Sequence, residues 1–463
     1  MAHLESFLKS FKGDISTPSD ADYAEAISRW ALNARRNAKI VTFPKDAQDV
    51  AFAIDYAKTS GLPLAIRGGG HSTSGASSSE NGLVIDLSRY LKEVTIDVDN
   101  KLAYVGGGAL WEQVDKAAIE HGLATVAGTV NHTGVGGLTL GGGLGWLSGM
   151  HGLVIDNLVE ATVVTADGSV LTASKVENPD LFFGIRGGGC NFGVVTRFVL
   201  QLHPQRRTVW TGEIIFPATI LDQLISLTDR WWSCGLCEKE GMLQMFTRPP
   251  QDPNPCIILI LFYNGTEAEG RKNFKDFFDL KPFMDLTREV PYEMLNSIQN
   301  EHLVHGQCRL IKGVFQIKLH AESIRQAMER VIVHCNDEHS SLLLLEFFSL
   351  AKVQSVPNGD CAFVRGPGAN VMSISTWKND TAENSAYART AAREITSLIA
   401  AGQKEFLGVS NEGYGNYDQD AYEKDMKNKA PFLFGTNYPR LQELKKKYDS
   451  DNLFCKWFAI TPA

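Results

Sequence analysis

The sequence lacks any apolar run long enough to cross a bilayer. Its most apolar stretch, residues 256–262, has only the length of a strand and is rich in β-branched residues. The first nine residues space their apolar side chains at helical intervals and interrupt them with Glu5 and Lys9, unlike a secretory signal. We therefore expect a protein without a membrane partner that resides in the cytoplasm.

The chain also lacks an excess of positive charge and a zinc-binding pattern of cysteines. Its 45 Lys and Arg against 53 Asp and Glu give a net charge of -8, which leaves no basic field to attract nucleic-acid phosphates. The 8 cysteines are scattered, and the C-x-x-C unit of Cys234 and Cys237 has no second pair to complete four ligands. We expect no nucleic-acid partner and no metal.

What is present is enough chain for more than one core. A length of 463 residues predicts two or three folding units. Residues 1–205 are dense in glycine, residues 206–405 carry longer strands with little glycine, and residues 406–463 become rich in Tyr, Asn and Gly again. We predict an α+β fold with an N-terminal domain, a central domain and a C-terminal segment that returns to the N-terminal domain, divided at those boundaries.

The same patterns predict individual elements. Period-2 and β-branched runs indicate strands, whereas apolar residues at helical spacing after a start signal such as Pro44 and Asp46 indicate helices. The predicted strands are 38–43, 63–67, 209–216 and 256–263, and the predicted helices are 47–60, 220–232, 382–401 and 440–448.

The strongest local feature is the loop that follows the strand at 63–67. It reads Arg67-Gly68-Gly69-Gly70-His71, and such glycines let backbone N–H groups surround a pyrophosphate without interference from Cβ. A second glycine-rich stretch spans residues 128–145, but it lacks the strand-turn-helix context and acidic residue of a Rossmann fingerprint. These loops predict a dinucleotide bound by another architecture.

Several motifs in order along the chain resemble one enzyme family. Residues 41–86, 128–145 and 180–196 are similar to the FAD-linked oxidases of the vanillyl-alcohol oxidase and p-cresol methylhydroxylase superfamily. The C-terminal motifs at residues 413–418 and 434–441 narrow the resemblance to the berberine-bridge-enzyme-like branch. The resemblance implies a two-domain FAD-binding fold of the p-cresol methylhydroxylase type, with a central substrate domain built on an antiparallel sheet.

The resemblance also implies that FAD is attached covalently through His71. Members with a second attachment carry a cysteine in the second glycine loop, and aligning the glycines places Val130 at that position. A valine cannot form a thioether, so we expect a single attachment. Alkylation of the ring system at this position raises its oxidising power, and the tether prevents loss of the cofactor.

The motif match implies further contacts with the cofactor. The expected FAD-binding residues besides His71 are Arg67, Gly68, Gly69, Gly70, Ser72, Gly75, Thr133, Gly134, Gly136, Gly137, Gly141, Gly142, Gly143, Val195, Asn416 and Asn437. Thr133 falls near the position that influences whether oxygen reaches the flavin, where the family usually has an aliphatic residue. The choice between an oxidase and a dehydrogenase therefore stays open.

Three residues are candidates for the chemistry. The match to the family's Y-x-N-Y motif implies that Tyr417 takes a proton from the substrate, with Tyr414 beside it. A free phenol ionises near pH 10, so the surroundings are expected to lower the pKa of Tyr417. Glu346 is the third candidate, because a lone glutamate in an apolar strand is costly to bury. Strand alternation does not show whether Glu346, Arg309 or Arg365 faces the pocket.

The predicted function is that of an FAD-dependent oxidase. It would transfer a hydride from an alcohol or amine carbon of a small molecule to the flavin, with O2 as the acceptor, in specialised metabolism. The alternatives are an oligosaccharide oxidase or dehydrogenase of the same family, a flavin-dependent cyclase or isomerase without net oxidation, and a binding protein that keeps a vestigial flavin. We expect a monomer or a weak homodimer.

Overall fold

The N-terminal part of the chain begins with a small mixed sheet. A computed structural model describes residues 7–249, 254–407, 413–418 and 429–463. The sheet has the order β1-β2-β4-β3, in which β2, β4 and β3 are parallel and β1 is antiparallel to β2. Its strands are β1 (Asp14–Ser16), β2 (Ile40–Phe43), β3 (Leu64–Arg67) and β4 (Leu83–Asp86). The first glycine loop leaves this sheet at the end of β3.

A second sheet of five antiparallel strands completes the N-terminal part. Its order is β5-β6-β10-β8-β9. The strands are β5 (Val94–Asp97), β6 (Leu102–Gly106), β8 (Leu158–Val164), β9 (Val170–Ser174) and β10 (Val194–Gln201), and a separate ribbon pairs β7 (Leu123–Ala124) with β11 (His203–Pro204). The second glycine loop lies between β7 and β8, beside the first.

A large antiparallel sheet forms the central part of the chain. Its order is β15-β12-β14-β13-β18-β19-β17, and β16 also pairs with β12. The strands are β12 (Thr208–Pro217), β13 (Glu240–Thr247), β14 (Cys256–Tyr263), β15 (Met284–Asp285), β16 (Arg288–Pro291), β17 (Cys308–Gln316), β18 (His339–Phe348) and β19 (Ala369–Trp377). Alternate residues divide between two cores: Leu343 and Leu345 pack with the helices, whereas Leu344 packs with the N-terminal part.

The helices connect the strands, and several of those in the central part cover one face of the large sheet. They are α1 (Tyr23–Ala26), α2 (Ala47–Thr59), α3 (Trp111–Ile119), α4 (Val135–Leu140), α5 (Ser148–His151), α6 (Pro179–Ile185), α7 (Leu221–Ser233), α8 (Glu267–Asn273), α9 (Lys275–Asp279), α10 (Ala321–Val333), α11 (Ala351–Gln354), α12 (Ala382–Gly402), α13 (Lys404–Leu407), α14 (Ala430–Phe434) and α15 (Tyr438–Tyr448). The start of α2 is fixed by its N-cap, because the Asp46 carboxylate accepts the N–H of Asp49 at 2.9 Å.

The C-terminal segment packs against the N-terminal part. Leu441 and Leu444 of α15 belong to the same core cluster as Leu181 of α6. Lys445, which is fully buried, donates to the carbonyl of Asn191 at 2.8 Å and pairs with Asp449 at 2.6 Å. This return brings the turn Gly415–Tyr417 to the sheet, where Asp418 forms a bridge with Lys312 of β17.

The predicted α+β architecture with a central antiparallel sheet is confirmed. The strand predicted at 256–263 has those bounds, and the helix predicted at 47–60 is α2 at Ala47–Thr59. Among the described residues, no helix combines the length and the apolar composition needed to cross a membrane.

Candidate active site

A deep cleft lies between the two glycine loops and the large sheet. The space within it, counted out to its open mouth, is about 1700 Å³. Most of the predicted site residues line it: Gly68, Gly69, Gly70, His71, Ser72, Thr133, Gly134, Gly136, Gly137, Gly141, Val195, Glu346, Asn416 and Tyr417. The fold therefore brings together residues from five distant parts of the sequence.

The two glycine loops touch each other through their backbones. A Cβ on Gly134 would lie 2.4 Å from the backbone nitrogen of Gly69, and one on Gly69 would lie 2.6 Å from the Cα of Gly134. By contrast, a Cβ on Gly137 would meet no atom within 4 Å. Glycine is thus needed at 69 and 134 for the loops to approach, whereas Gly137 borders open space of the cleft.

Three predicted cofactor glycines have a different partner. A Cβ on Gly141 would lie 2.1 Å from the side-chain oxygen of Asn416, although Gly141 also reaches the cleft. Gly142 and Gly143 do not line the cleft, because Phe363 and Val154 lie within 2.6 and 2.4 Å of their would-be Cβ atoms. Both have positive φ, so their glycine is explained by backbone conformation and packing.

Four other predicted residues also lie off the cleft. Arg67 pairs with the buried carboxylate of Asp86 at 2.6 Å and so joins the ends of β3 and β4. Gly75 has a φ of 79°, which allows the turn that closes the first loop. The Asn437 amide donates to backbone carbonyls at 2.9 to 3.4 Å, and Tyr414 lines a neighbouring cavity. None of these four residues lines the cleft itself.

His71 lies in a group of aromatic rings at one end of the cleft. Its ring stacks on Trp30 with centroids 3.9 Å apart, and its Nε2 lies 3.2 Å from Nδ1 of His132. His305 packs on His132 with ring centroids 5.0 Å apart. Burial, above all, together with the neighbouring histidines lowers the pKa of His71 well below its usual value, and burial lowers that of His132 to about 4. All three imidazoles are therefore neutral at pH 7.

Tyr417 and Glu346 form a hydrogen-bonded pair on the opposite wall. The Tyr417 hydroxyl donates to Oε1 of Glu346 at 3.0 Å, and the amide of Asn370 donates to Oε2 at 3.0 Å. Glu346 is 3% exposed, yet both of its oxygens have partners and it lines the cleft. The sequence left the direction of Glu346 open, and the structure turns it toward the cleft.

The protein residues around Tyr417 do not lower its pKa. Burial raises it well above its usual value, and the nearby carboxyl group of Glu346 adds to the rise. Burial also raises the pKa of Glu346 to about 7, partly offset by its two hydrogen bonds. Tyr417 is thus a neutral phenol at pH 7, and Glu346 is the member of the pair that is able to hold a proton.

Tyr414 and Asn416 position Tyr417 from behind. The Tyr414 hydroxyl accepts the N–H of Gly143 at 2.8 Å and the amide of Asn416 at 2.7 Å. Its ring meets that of Tyr417 edge to face, with centroids 4.9 Å apart. Burial raises the pKa of Tyr414 above its usual value. Tyr414 is therefore a positioning residue that ties the turn of Tyr417 to the second glycine loop.

The part of the large sheet above Tyr417 presents an apolar surface to the cleft. The residues that line it are Leu243 of β13, Leu344 of β18, Met372 and Ile374 of β19, and Ile311 of β17. They are cross-strand neighbours, since Leu344 pairs with Met372 and Ile311 pairs with Ile374. Leu243 stands opposite Glu346 in the register of β13 and β18. Glu346 thus places an acidic side chain within this apolar patch.

Two arginines that could have faced the pocket do not line it. Arg309 is fully buried, lies 4.3 Å from the Trp30 ring and donates to the carbonyl of Val304. Arg365 pairs with Asp156 at 2.5 Å. Neither residue appears on the cleft wall.

Sequence reasoning missed His132, His305, Trp30 and Asn370. His132 stands inside the second glycine loop, so a histidine within a glycine cradle was a usable signal. The other three lie on separate segments and carry no local motif that marks them.

The chemistry of the cleft fits FAD. The glycine loops offer backbone N–H groups and the hydroxyls of Ser72 and Thr133 for a pyrophosphate and ribityl chain, and Val195 adds an apolar contact. His71 at one end and Tyr417 with Glu346 at another bracket the space for a ring system. His71 would hold the ring system there, and the loops would hold the phosphates.

Comparison with protein families gives two matches along the chain. A model described as "FAD binding domain" matches residues 38–174. A second, described as "Berberine and berberine like", matches residues 414–460 and so includes Tyr414, Asn416 and Tyr417. The two matches cover the glycine loops and the returning C-terminal segment.

Individual proteins are similar over nearly the whole length. The FAD-linked oxidoreductase pgmH of Aspergillus terreus is 34% identical over 492 residues, which cover 99% of this chain and 96% of that protein. The structure of 6-hydroxy-D-nicotine oxidase from Arthrobacter nicotinovorans covers 98% of this chain and 99% of its own, with a TM-score of 0.85 and 23% identity. Glucooligosaccharide oxidase from Acremonium strictum, with a 6-S-cysteinyl, 8α-N1-histidyl FAD, covers 100% of both chains at a TM-score of 0.83 and 20% identity.

Proposed function

This chain is an FAD-linked oxidoreductase of the berberine-bridge-enzyme-like branch, and we propose that it oxidises an apolar, hydroxyl-bearing small molecule. The observation that carries the proposal is the Tyr417–Glu346 pair, which opens on the cleft within an apolar patch. Relatives whose names specify a nicotine derivative and a glucooligosaccharide share the fold, so the substrate class must come from this chain's own residues.

The pair of Tyr417 and Glu346 is suited to removing a proton from a substrate hydroxyl. Flavin supplies the acceptor for the hydride that leaves the adjacent carbon. Tyr417 takes the hydroxyl proton of the substrate while its own proton moves to Oε1 of Glu346, so no free phenolate has to form. The amide of Asn370 stabilises the carboxylate before this transfer.

The apolar patch favours a substrate with a ring or hydrocarbon body over an oligosaccharide. Leu243, Leu344, Met372 and Ile374 offer no hydrogen bonds to sugar hydroxyls. Each buried hydroxyl left without a partner costs about 1–3 kcal/mol. An aromatic or alicyclic alcohol would place one hydroxyl on Tyr417 and bury the rest of its surface against the sheet. The apolar patch therefore disfavours the oligosaccharide alternative.

Anaerobic reduction of the bound flavin tests the substrate class. We expect apolar aromatic or alicyclic alcohols to bleach the flavin absorbance, and oligosaccharides of similar size to leave it unchanged. Admission of air should then restore the absorbance and release peroxide if O2 is the acceptor. Bleaching by oligosaccharides alone would overturn the substrate class, and turnover without any bleaching would favour the cyclase or isomerase alternative.

We also propose that the flavin is attached covalently through His71 and not through a second residue. The His71 ring lines the cleft and is held by Trp30, while Val130, also on the wall, offers no nucleophile. Replacing His71 by alanine is therefore expected to abolish covalent attachment. In a denaturing gel the wild-type band should show flavin fluorescence, and the His71→Ala band should not.

The control for this substitution is His151→Ala. His151 stacks on His203 with centroids 3.8 Å apart and does not line the cleft, so the variant should keep its fluorescence. Release of all FAD from the acid-precipitated wild type would exclude the covalent link. It would leave the proposed oxidation untouched, because a flavin held without a bond also accepts a hydride.

A further inference from the structure

The neighbours of His71 fix both the place and the rotation of its ring. Stacking on Trp30, with an angle of 12° between the planes, sets the plane of the imidazole. The contact of 3.2 Å with Nδ1 of His132 sets which edge points into the second glycine loop. Trp30 is itself held, because its indole N–H donates to the carbonyl of Leu303 at 2.8 Å. A ring held in this way directs its Nε2 at His132 and its Nδ1 away from His132.

Burial above all, and the neighbouring charges to a smaller extent, lower the pKa of these imidazoles and keep them neutral. Arg309 is fully buried with its guanidinium 4.3 Å from the Trp30 ring, and it opposes protonation of His71, His132 and His305. A single proton therefore lies between Nε2 of His71 and Nδ1 of His132. If His132 donated it, the Nε2 lone pair would be occupied and Nδ1 of His71 would carry the other proton. If His71 donates it, the lone pair on its Nδ1 is free.

We propose that His132 is a positioning residue for flavin attachment, whose Nδ1 accepts the Nε2–H of His71 and so leaves the Nδ1 of His71 as the nucleophile. This inference rests on the covalent link proposed above. Nothing in the residue-by-residue match to the family marks position 132, so the role is read from the contact in this chain.

The step balances with dioxygen as the oxidant. A bond forms between Nδ1 of His71 and C8α of the flavin, and one C–H bond of the 8α-methyl group breaks. The electron pair of that bond passes into the ring system, which is reduced by two electrons. The methyl proton and the Nε2 proton of His71 balance that reduction, and dioxygen then removes two electrons and two protons as hydrogen peroxide. His132 relays the Nε2 proton toward His305, which packs on it and is exposed to solvent, so that His132 itself stays neutral.

Two substitutions of similar size at position 132 test the role. His132→Leu removes the acceptor, whereas His132→Asn keeps one, since the Asn oxygen occupies the same branch of the side chain as Nδ1. We expect the leucine variant to bind FAD without a bond and to attach added FAD under air on the order of a hundredfold more slowly than wild type. The asparagine variant should attach it at close to the wild-type rate. Intact mass and in-gel flavin fluorescence over time measure the attached fraction, and His151→Leu serves as the control for loss of a histidine ring.

The outcomes separate this inference from the proposals on which it rests. Equal attachment rates in wild type and His132→Leu would overturn the role of His132 and leave the covalent link in place. Slow attachment in both His132 variants would show that an acceptor alone is insufficient and would also overturn it. Loss of FAD binding in His132→Leu would assign the residue to cofactor binding instead. A wild type without covalent flavin would remove the inference together with the link, while flavin reduction by substrate would still test the oxidation.

Discussion

Replacing Glu346 by glutamine should lower the rate of flavin reduction by substrate roughly 10²–10⁴-fold, the range typical of a lost general base. Tyr417 is a neutral phenol whose pKa lies well above its usual value, so it cannot store the proton of the substrate. The proton has to continue to Glu346, which already accepts the Tyr417 hydroxyl at 3.0 Å. Glutamine fills the same volume and still accepts a hydrogen bond, but it cannot take up the proton. The rate is measured by stopped-flow absorbance under anaerobic conditions.

The pH dependence follows from the pKa of Glu346, which burial raises to about 7. The carboxyl must be ionised to accept a proton, so the reduction rate should rise with pH through about 7 and level off above it. The reduction rate of Glu346→Gln should not show this rise with pH. Asn370→Leu removes a hydrogen bond that favours the carboxylate, so the pKa of Glu346 should rise and the increase in rate should occur at higher pH. The rate at the high-pH plateau should change less than it does in Glu346→Gln.

Tyr417→Phe completes the test of the pair. It should slow the reduction as Glu346→Gln does, and the double variant should be no slower than the slower single variant, because both substitutions interrupt one proton path. A Glu346→Gln enzyme with an unchanged rate and an unchanged rise with pH would remove Glu346 from the reaction. An unchanged rate in Tyr417→Phe would show that the substrate reaches Glu346 directly.

Local patterns in the sequence were sufficient for the elements but not for the surroundings of the site. The strand Cys256–Tyr263 and the helix Ala47–Thr59 are encoded by their own apolar spacing and caps, which is why they were predicted closely. The sequence did not show toward which face of the sheet Glu346 points, because the alternation of side chains has the same period of two on both faces of a strand. The high pKa of Tyr417 depends on burial against Glu346, 71 residues away, which no local pattern contains.

The glycine positions also show that the sequence does not reveal the surroundings of a residue. Each was predicted to contact the cofactor, since the sequence marks a residue as glycine without showing what approaches it. Phe363 lies against Gly142 from a distant segment, and Val154 lies against Gly143, so packing explains these two. His132 and His305 come together only after the second glycine loop meets the segment before β17. Contacts between distant segments therefore account for most of what the motifs left undetermined.

Two glycines of the second loop should respond to alanine in opposite ways. Gly134 has ordinary dihedral angles for an alanine, but its Cβ would lie 2.4 Å from the backbone nitrogen of Gly69. A backbone atom cannot rotate away, so Gly134→Ala should destabilise the protein by about 1–3 kcal/mol or more. The Cβ of Gly137 would meet no atom within 4 Å, and alanine within α4 should favour the helix by up to about 1 kcal/mol.

With FAD bound, the substitution of Gly137 by alanine should become unfavourable. Its Cβ would project into the space of the cleft, so Gly137→Ala should weaken FAD binding about tenfold, or about 1.4 kcal/mol. Both variants are made in the His71→Ala background, where FAD is exchangeable if the link at His71 is the only one. Thermal unfolding without FAD then measures the fold, and titration with FAD measures the cleft. A Gly137→Ala protein that binds FAD as tightly as its parent would show that the cofactor does not approach this glycine. An unchanged melting temperature in Gly134→Ala would mean that the loops separate without cost, so that their contact does not define the cradle.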